Sequence, residues 1–394
     1  MSQPDVPAPL APPSRVLLGP GPSEVSPAVL SALARPTLGH LDPAFLDVMD
    51  EVRSMLRRVF GTTNELTFPM SGTGSAGMET CLVNLIEPGD RVLVGQNGVF
   101  GGRLAEVARR AGAEVVVAQT EWGRAMQADA LREAAAGGEF KLLCVVHAET
   151  STGALTDLAE MRRVADEVGA MLVADCVTSL GGMPVELDEW GVDAAYSGTQ
   201  KCLSVPPGLA PVSFSSRATE ALRTRSHPVQ SWYLDLGLIA NYWGAERAYH
   251  HTAPINMLYG LHEGLRGVLQ EGREARYGRH RRHAVALAAG LESLGLELLV
   301  PEAERLTPLT SVRVPDGVDE PRVRRFLLER YDLEIGGGLG PLAGAVWRIG
   351  LMGTGSTRRN VELCLGALRA ALADQGYRGD GDPLRAAAGV FADA

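Results

Sequence analysis

The sequence predicts an α/β fold, a largely parallel β-sheet flanked by helices, followed by a smaller C-terminal α+β domain. Three observations lead there. Between residues 91 and 214, short continuous apolar runs alternate with stretches of helical periodicity. Such runs read as strands buried on both faces, with the helices between them returning the chain for parallel pairing. A glycine- and hydroxyl-rich segment, Ser71-Gly-Thr-Gly-Ser-Ala-Gly77, opens a helix ahead of this alternation. Past a long helical stretch the pattern changes to strand, helix, strand, strand, helix. The 394 residues, 45% hydrophobic and 21% charged, suffice for one large and one smaller globular unit.

Taken in order, residues 1–22 read as an N-terminal arm. It is rich in Pro and Ala at first and ends in Leu17-Leu-Gly-Pro-Gly-Pro22. That ending is extended backbone with turn chemistry, either a loop or a rigid arm whose backbone touches a ligand. A large domain is expected over 23–258. It begins with helical patterns at 27–34 and 43–59, and the helix after Gly77 stops at Glu87-Pro-Gly-Asp90. Strand-like runs follow at 92–94, 114–117, 142–146, 171–174, 193–195 and 211–214, with helices between them such as 103–110 and 158–168. One continuous helical pattern from about 258 to 295 supplies a connecting helix over 259–289. Its basic cluster, Arg273 to His283, reads as a solvated or interface face. The small domain, 290–394, carries strands at 311–314, 333–335 and 346–349, helices at 320–329 and 359–372, and a short Ala-rich helix in the tail.

Composition narrows the function. A net charge of −10 argues against a nucleic-acid partner, which needs clustered Lys and Arg. The five cysteines are scattered, odd in number and mostly inside apolar runs, as in a reducing compartment. No apolar run reaches the ~18 residues of a membrane helix. The N-terminus lacks the pattern of a signal peptide and the C-terminus carries no recognisable address, so a cytoplasmic protein is expected. The vicinal pair His250-His251 has no carboxylate or cysteine at ligand spacing, so no metal is expected.

Gly72, Gly74 and Gly77 match G-x-G-x-x-G, but a dinucleotide reading fails on two grounds. The motif follows Phe68-Pro69 and no clean strand, and the strand at 92–94 runs into Gly95-Gln-Asn97 without an acid for a ribose. What survives is a phosphate seat, glycines and hydroxyls at a helix N-terminus. In such sheets ligands bind beyond the strand C-termini. His147-Ala-Glu-Thr150, Asp175 and Gln200-Lys201 each fall just past a strand. Lys201 sits among small and hydroxylic residues, with Pro206-Pro-Gly208 turning the chain behind it and no carboxylate near on that side. A lone loop lysine usually has no role. One in this company reads as an amine of lowered pKa, the nucleophile for a Schiff base with pyridoxal 5′-phosphate (PLP). Arg348, inside the apolar run Val346-Trp-Arg-Ile349, has two possible fates: a structural ion pair, or a bidentate clamp on a substrate carboxylate.

In this order, Gly19-Pro-Gly-Pro22, Ser71-Gly-Thr-Gly74, Val173-Ala-Asp175 with Ser179-Leu-Gly181, Ser197-Gly-Thr-Gln-Lys201, Tyr249-His-His-Thr252 and Trp347-Arg-Ile-Gly350 carry a family resemblance. The chain resembles the class V, fold-type I PLP aminotransferases of the alanine/serine–glyoxylate group from about Leu17 to Leu372. The resemblance implies that Lys201 carries PLP and moves the substrate's Cα proton, while Asp175 pairs with the pyridine nitrogen. It places Val177 and Phe100 on the two ring faces and Thr150 near the ring's 3-oxygen. Thr73, Gly74 and Gln200 would hold the phosphate, and Ser75 is counted with them although animal alanine–glyoxylate enzymes have His there. Tyr249 and Thr252 would reach the phosphate from the neighbouring subunit, making a homodimer the active unit. Arg348 would clamp the substrate carboxylate, with Gly21 and His40 on the substrate side. The implied reaction moves the amino group of alanine, or of serine, to glyoxylate.

Stretches 39–45, 188–193 and 200–204 are also similar to ureidoglycine–glyoxylate aminotransferases. Those enzymes have Asn and Gln where this chain has Tyr249 and His40. A lyase or cysteine desulfurase on the same fold is a further alternative. A desulfurase needs a reactive cysteine on a mobile C-terminal loop, whereas Cys364 falls in a helical pattern.

Overall fold

The computed structural model describes residues 7–392. The expected arm and tail therefore lie outside the described residues at 1–6 and 393–394. Strand β1 (Val16–Leu18) precedes helices α1 (Pro27–Leu33) and α2 (Pro43–Phe60). Strand β2 (Leu66–Ser71) leads into α3 (Gly74–Leu85), and alternation continues through β3 (Arg91–Gln96), α4 (Val99–Arg110), β4 (Glu114–Gln119), α5 (Ala128–Ala135) and β5 (Leu142–Val146). A two-stranded hairpin, β6 (Ala148–Glu149) and β7 (Ala154–Leu155), comes before α6 (Leu158–Glu167) and β8 (Met171–Asp175). Then follow β9 (Ala194–Tyr196), β10 (Leu209–Phe214), α7 (Ser216–Arg223), α8 (Leu236–Trp243), α9 (Ile255–Glu271) and α10 (Arg273–Ser293). The chain ends with β11 (Leu309–Arg313), α11 (Glu320–Tyr331), β12 (Leu333–Gly337), β13 (Val346–Gly350), α12 (Arg358–Asp374) and α13 (Pro383–Ala392).

Seven strands form one sheet in the order β2-β10-β9-β8-β5-β3-β4. Strands β4, β3, β5, β8 and β9 are mutually parallel, and β10 runs antiparallel to β9 and β2. Every residue of β5 and β8 is buried, which is why these strands lack polar alternation. Helix α3 lies tightly on β9 and β10, for a Cβ at Gly77 would come within 3.0 Å of the Cβ atoms of both Tyr196 and Ala210. The parallel strands end on one edge, where Val146 is in register with Asp175, and Asp175 with Tyr196.

A second sheet, in the order β1-β12-β13-β11, packs with α10, α11 and α12 around a separate core that includes the fully buried Trp347. This corrects the reading of 1–22 as an arm throughout, because Val16–Leu18 pairs in parallel with Leu333–Ile335. Three further expectations change. The single connecting helix is two helices, broken at Gly272, whose φ of +85° suits glycine. Phe68 and Pro69 do lie in a strand, and β2 accommodates the proline because it is the sheet edge, with Pro69 opposite Pro211. The basic cluster on α10 is only partly a solvated face: Arg281 and Arg282 are exposed, but Arg276, His280 and His283 are buried.

Candidate active site

The carboxyl edge of the large sheet and the start of α3 enclose a cavity of about 230 Å³. Thr73, Gly74, Ser75, Phe100, Thr150, Asp175, Val177, Gln200 and Lys201 all line it.

Lys201 is buried, and its Nζ donates a hydrogen bond to the carbonyl of Pro20. Burial, with the nearby charge of Arg348, holds its ammonium down to about 8. The loop is pinned from both sides. Ser23 Oγ donates to Lys201 O at 2.6 Å and Ser23 N to Gln200 O at 2.8 Å. From behind, Arg276 donates to Cys202 O and to Gly181 O, each at 2.7 Å. Gly21, with φ +112°, brings the arm's backbone against the lysine, and a Cβ there would lie 2.6 Å from Nζ.

Asp175 ends β8, and its carboxylate is held by two donors. Tyr196 Oη donates to Oδ2 at 2.7 Å and Val177 N to Oδ1 at 2.9 Å. Burial pushes this carboxyl up, and the two bonds pull it back toward ionisation. Phe100 projects from the first turn of α4, with the Arg103 guanidinium 4.9 Å from its ring centre. At the opposite end, Thr73 is the N-cap of α3 but makes no side-chain cap bond, and buried Gln200 Oε1 has no partner. An anion there would meet free helix N–H groups and a free hydroxyl, while Gln200 Oε1 is left to accept from a protonated oxygen or another donor.

Arg348 lies beside this cavity on β13, buried, and among the described residues it makes no ion pair. Its Nε donates to Gly337 O at 2.7 Å and its Nη1 to Thr150 O at 2.9 Å. Nη2 has no hydrogen-bond partner among the described residues, and no ion pair forms there. His40, Tyr249 and Thr252 do not join the cavity. The rings of His40 and Tyr249 pack 5.1 Å apart, Tyr249 is 61% exposed, and Thr252 lines a separate recess with Ser71, Gly72 and Tyr233. His250 and His251 bond to one another at 2.8 Å, and His251 to Ser71 Oγ at 2.9 Å.

Tyr196, Met78 and Arg103 also line the cavity and were not singled out from sequence. Arg103 carried a usable signal, lying one helical turn beyond Phe100. Tyr196 carried none, because an aromatic at the end of an apolar run reads as core.

An amine held well below the usual lysine range, a carboxylate held by two donors and a phosphate seat at a helix start answer the needs of one cofactor, PLP. The residues present fit it, and fold and site together define the fold-type I PLP enzymes. The sequence model of the class-V aminotransferases matches residues 24–354, and the chain belongs to that family. It is 42% identical over 369 residues to an alanine–glyoxylate aminotransferase of Drosophila melanogaster, covering 92% of this chain and 94% of that protein. The crystal structure of ureidoglycine–glyoxylate aminotransferase from Bacillus subtilis superposes with a TM-score of 0.95 at 40% identity, over 98% of this chain and 100% of that one. An alanine–glyoxylate aminotransferase structure from Nostoc sp. gives 0.91 at 49% identity, over 93% and 97%. The cofactor of this chain is PLP.

Proposed function

We propose that this aminotransferase moves the amino group of a small amino acid, alanine foremost and serine next, to glyoxylate, releasing glycine and a 2-oxo acid. The observation that carries this reading is the pairing of two buried cations. Burial first and then the charge of Arg348 lower Lys201, and Arg348, which feels the Glu149 carboxylate but makes no ion pair among the described residues, is open to a substrate carboxylate. The small cavity, once it holds the cofactor, suits small substrates. The names of the relatives supply glyoxylate as the acceptor.

Bound there, the cofactor supplies an electron sink for the donor's Cα. Asp175 holds the ring nitrogen's proton, with Tyr196 and Val177 N fixing its two oxygens. Phe100 and Val177 would flank the ring, while Thr73, Gly74, Ser75 and Gln200 would seat the phosphate. Arg348 orients the substrate by its carboxylate. Lys201 Nζ takes the Cα proton as base and, in the reverse half, returns one as acid. Each half ends with product release, so double-reciprocal lines at varied glyoxylate are expected to be parallel.

Ureidoglycine is the second donor to weigh, on the similarity to the Bacillus subtilis structure. Against it, the two positions where this chain departs from that group, His40 and Tyr249, sit together as one ring pair. Ranking kcat/KM for alanine, serine and ureidoglycine against glyoxylate decides. Alanine is expected first. Ureidoglycine leading by about tenfold, a difference of ~1.4 kcal/mol, would overturn the donor, and no turnover with glyoxylate would overturn the acceptor.

The active unit in this reading is a cytoplasmic homodimer. Trp232 and Tyr249, exposed by 62% and 61%, and the recess holding Thr252 offer the surface for a second copy. Sedimentation at twice the chain mass checks it, and a monomer that turns over fully would contradict it. Among the described residues no helix is long and apolar enough to cross a membrane.

A further inference from the structure

Glu149, the last residue of β6, has no part in the chemistry above, yet its surface is wholly buried. Its oxygens are divided between two segments. Oε1 accepts from Ser151 N at 3.0 Å and Ser151 Oγ at 2.6 Å. Oε2 accepts from Phe100 N at 3.1 Å and Gly101 N at 3.3 Å. Burial pushes this carboxyl up, while the Ser151 hydroxyl and the backbone N–H groups of Ser151 and Gly101 pull it back toward ionisation. Ser151 Oγ in turn accepts from Val99 N at 2.9 Å. The first three N–H groups of α4 therefore all end on Glu149 or Ser151. The helix has no side-chain cap of its own, because its N-cap is Gly98.

Gly98 is what lets the carboxylate in. A Cβ there would collide with the Glu149 carboxyl carbon and with Ser151 Oγ. Its φ of 179° is open to any residue, so space alone requires glycine. What the carboxylate holds is the turn bearing Phe100. The next residue, Thr150, lines the cavity and takes the Arg348 Nη1 bond on its carbonyl. One buried anion thus ties together the aromatic cover and the support of the substrate clamp.

We propose that Glu149 is a positioning residue, a buried anionic cap supplied from a neighbouring hairpin that fixes the first turn of α4, and hence the Phe100 ring, against the cofactor. This rests on the cofactor placement given under Proposed function. Glu149 touches neither cofactor nor substrate. It differs from a merely structural residue in that its loss reaches the environment of the bound ring.

The test compares wild type with Glu149→Gln and Gly98→Ala. Glutamine keeps the shape but presents an amide N–H₂ to a donor whichever way it turns. Alanine at 98 displaces the carboxylate without altering its charge. Amide hydrogen exchange is read on PLP-free protein. PLP affinity, the visible circular dichroism of the bound cofactor, kcat and KM are read on loaded protein. Both variants are expected to raise exchange at Phe100 and Gly101 by about tenfold, with β5 and β8 unchanged, and to weaken PLP binding by about tenfold. The cofactor's dichroism should fall, and kcat should fall more than the alanine KM rises. Unchanged exchange at Phe100 and Gly101, or a rise spread equally over the sheet, would overturn the proposal. So would a local rise that leaves PLP affinity and dichroism at wild-type values. If Glu149→Gln does not fold, Ser151→Ala, which removes the Val99 N acceptor and one donor to Glu149, is read the same way. A wild-type protein that binds no PLP would overturn the cofactor placement and this proposal with it. A defect confined to the variants supports both.

Discussion

Lys201 is a cation in a place that disfavours cations, and its chemistry follows from that. Burial and the charge of Arg348 bring its value from 10.5 to about 8, so the reactive amine grows as pH rises toward 8 and changes little above it. PLP uptake by cofactor-free protein is expected to quicken up to about pH 8 and then level off, as followed by its visible band. A rate still climbing beyond pH 10.5 would mean an ordinary solvated lysine. Lys201, Asp175 and Gly74 were legible because each follows an apolar run at a fixed offset, and the residues around them resemble a family's motifs. Tyr196 was not. Its role is a bond to Asp175, 21 positions upstream, and nothing local marks it. Glu149 was noticed only as part of a polar stretch after β5, since its partners on α4 lie 48 and 49 positions away.

At the scale of elements, α10 does work that its sequence concealed. Arg276 reaches the carbonyls of Gly181 and Cys202 beside Lys201, and Arg279 those of Gly353 and Ser356, just past β13. Glu271 pairs with both arginines. His280 Nε2 accepts from Gly353 N at 2.9 Å while its Nδ1 faces Arg276 O. One helix therefore braces both the lysine loop and the strand that carries Arg348. The seven basic residues between Arg273 and His283 looked like a solvated face because charge usually means solvent. Here backbone carbonyls and the carboxylates of Glu186 and Glu271 meet Arg273, Arg276 and Arg279 within the molecule, while Arg281 and Arg282 do face solvent.

Burial holds His280 at about 3, against 6.5 when unfolded. Below pH 6.5 the unfolded chain takes up a proton there that the fold refuses, so stability is lost as pH falls from 6.5 toward 3. His280→Gln can accept from Gly353 N in place of Nε2 without titrating. The thermal midpoint of wild type is expected to fall more steeply than that of His280→Gln across this window, and equal slopes would contradict it. The break at Gly272 was hidden because a glycine inside a helical pattern is usually tolerated. The strand at Leu66–Ser71 was missed because its proline argued against it, and only the edge position permits that proline.

Over the whole molecule, the largely parallel sheet follows from local alternation, and the class of fold was readable for that reason. Pairings between distant segments were not. Val16–Leu18 joins a sheet whose other strands begin near residue 309, so the start of the chain closes the small core and then runs back past Lys201. A second copy was suggested only by family resemblance, because exposed aromatics look the same whether or not something covers them. The two sheets meet where Arg348 of the smaller reaches the carbonyl of Thr150 beside the carboxyl edge of the larger.

The measurement that tests this most directly is the visible absorption of the PLP-loaded protein through one half-reaction at a time. Adding alanine alone is expected to bleach the cofactor's band stoichiometrically and release pyruvate. Removing alanine and adding glyoxylate is expected to restore the band and release glycine, and Lys201→Ala should do neither. A wild-type band that no small amino acid bleaches, or a Lys201→Ala protein that still completes both halves, would contradict the account.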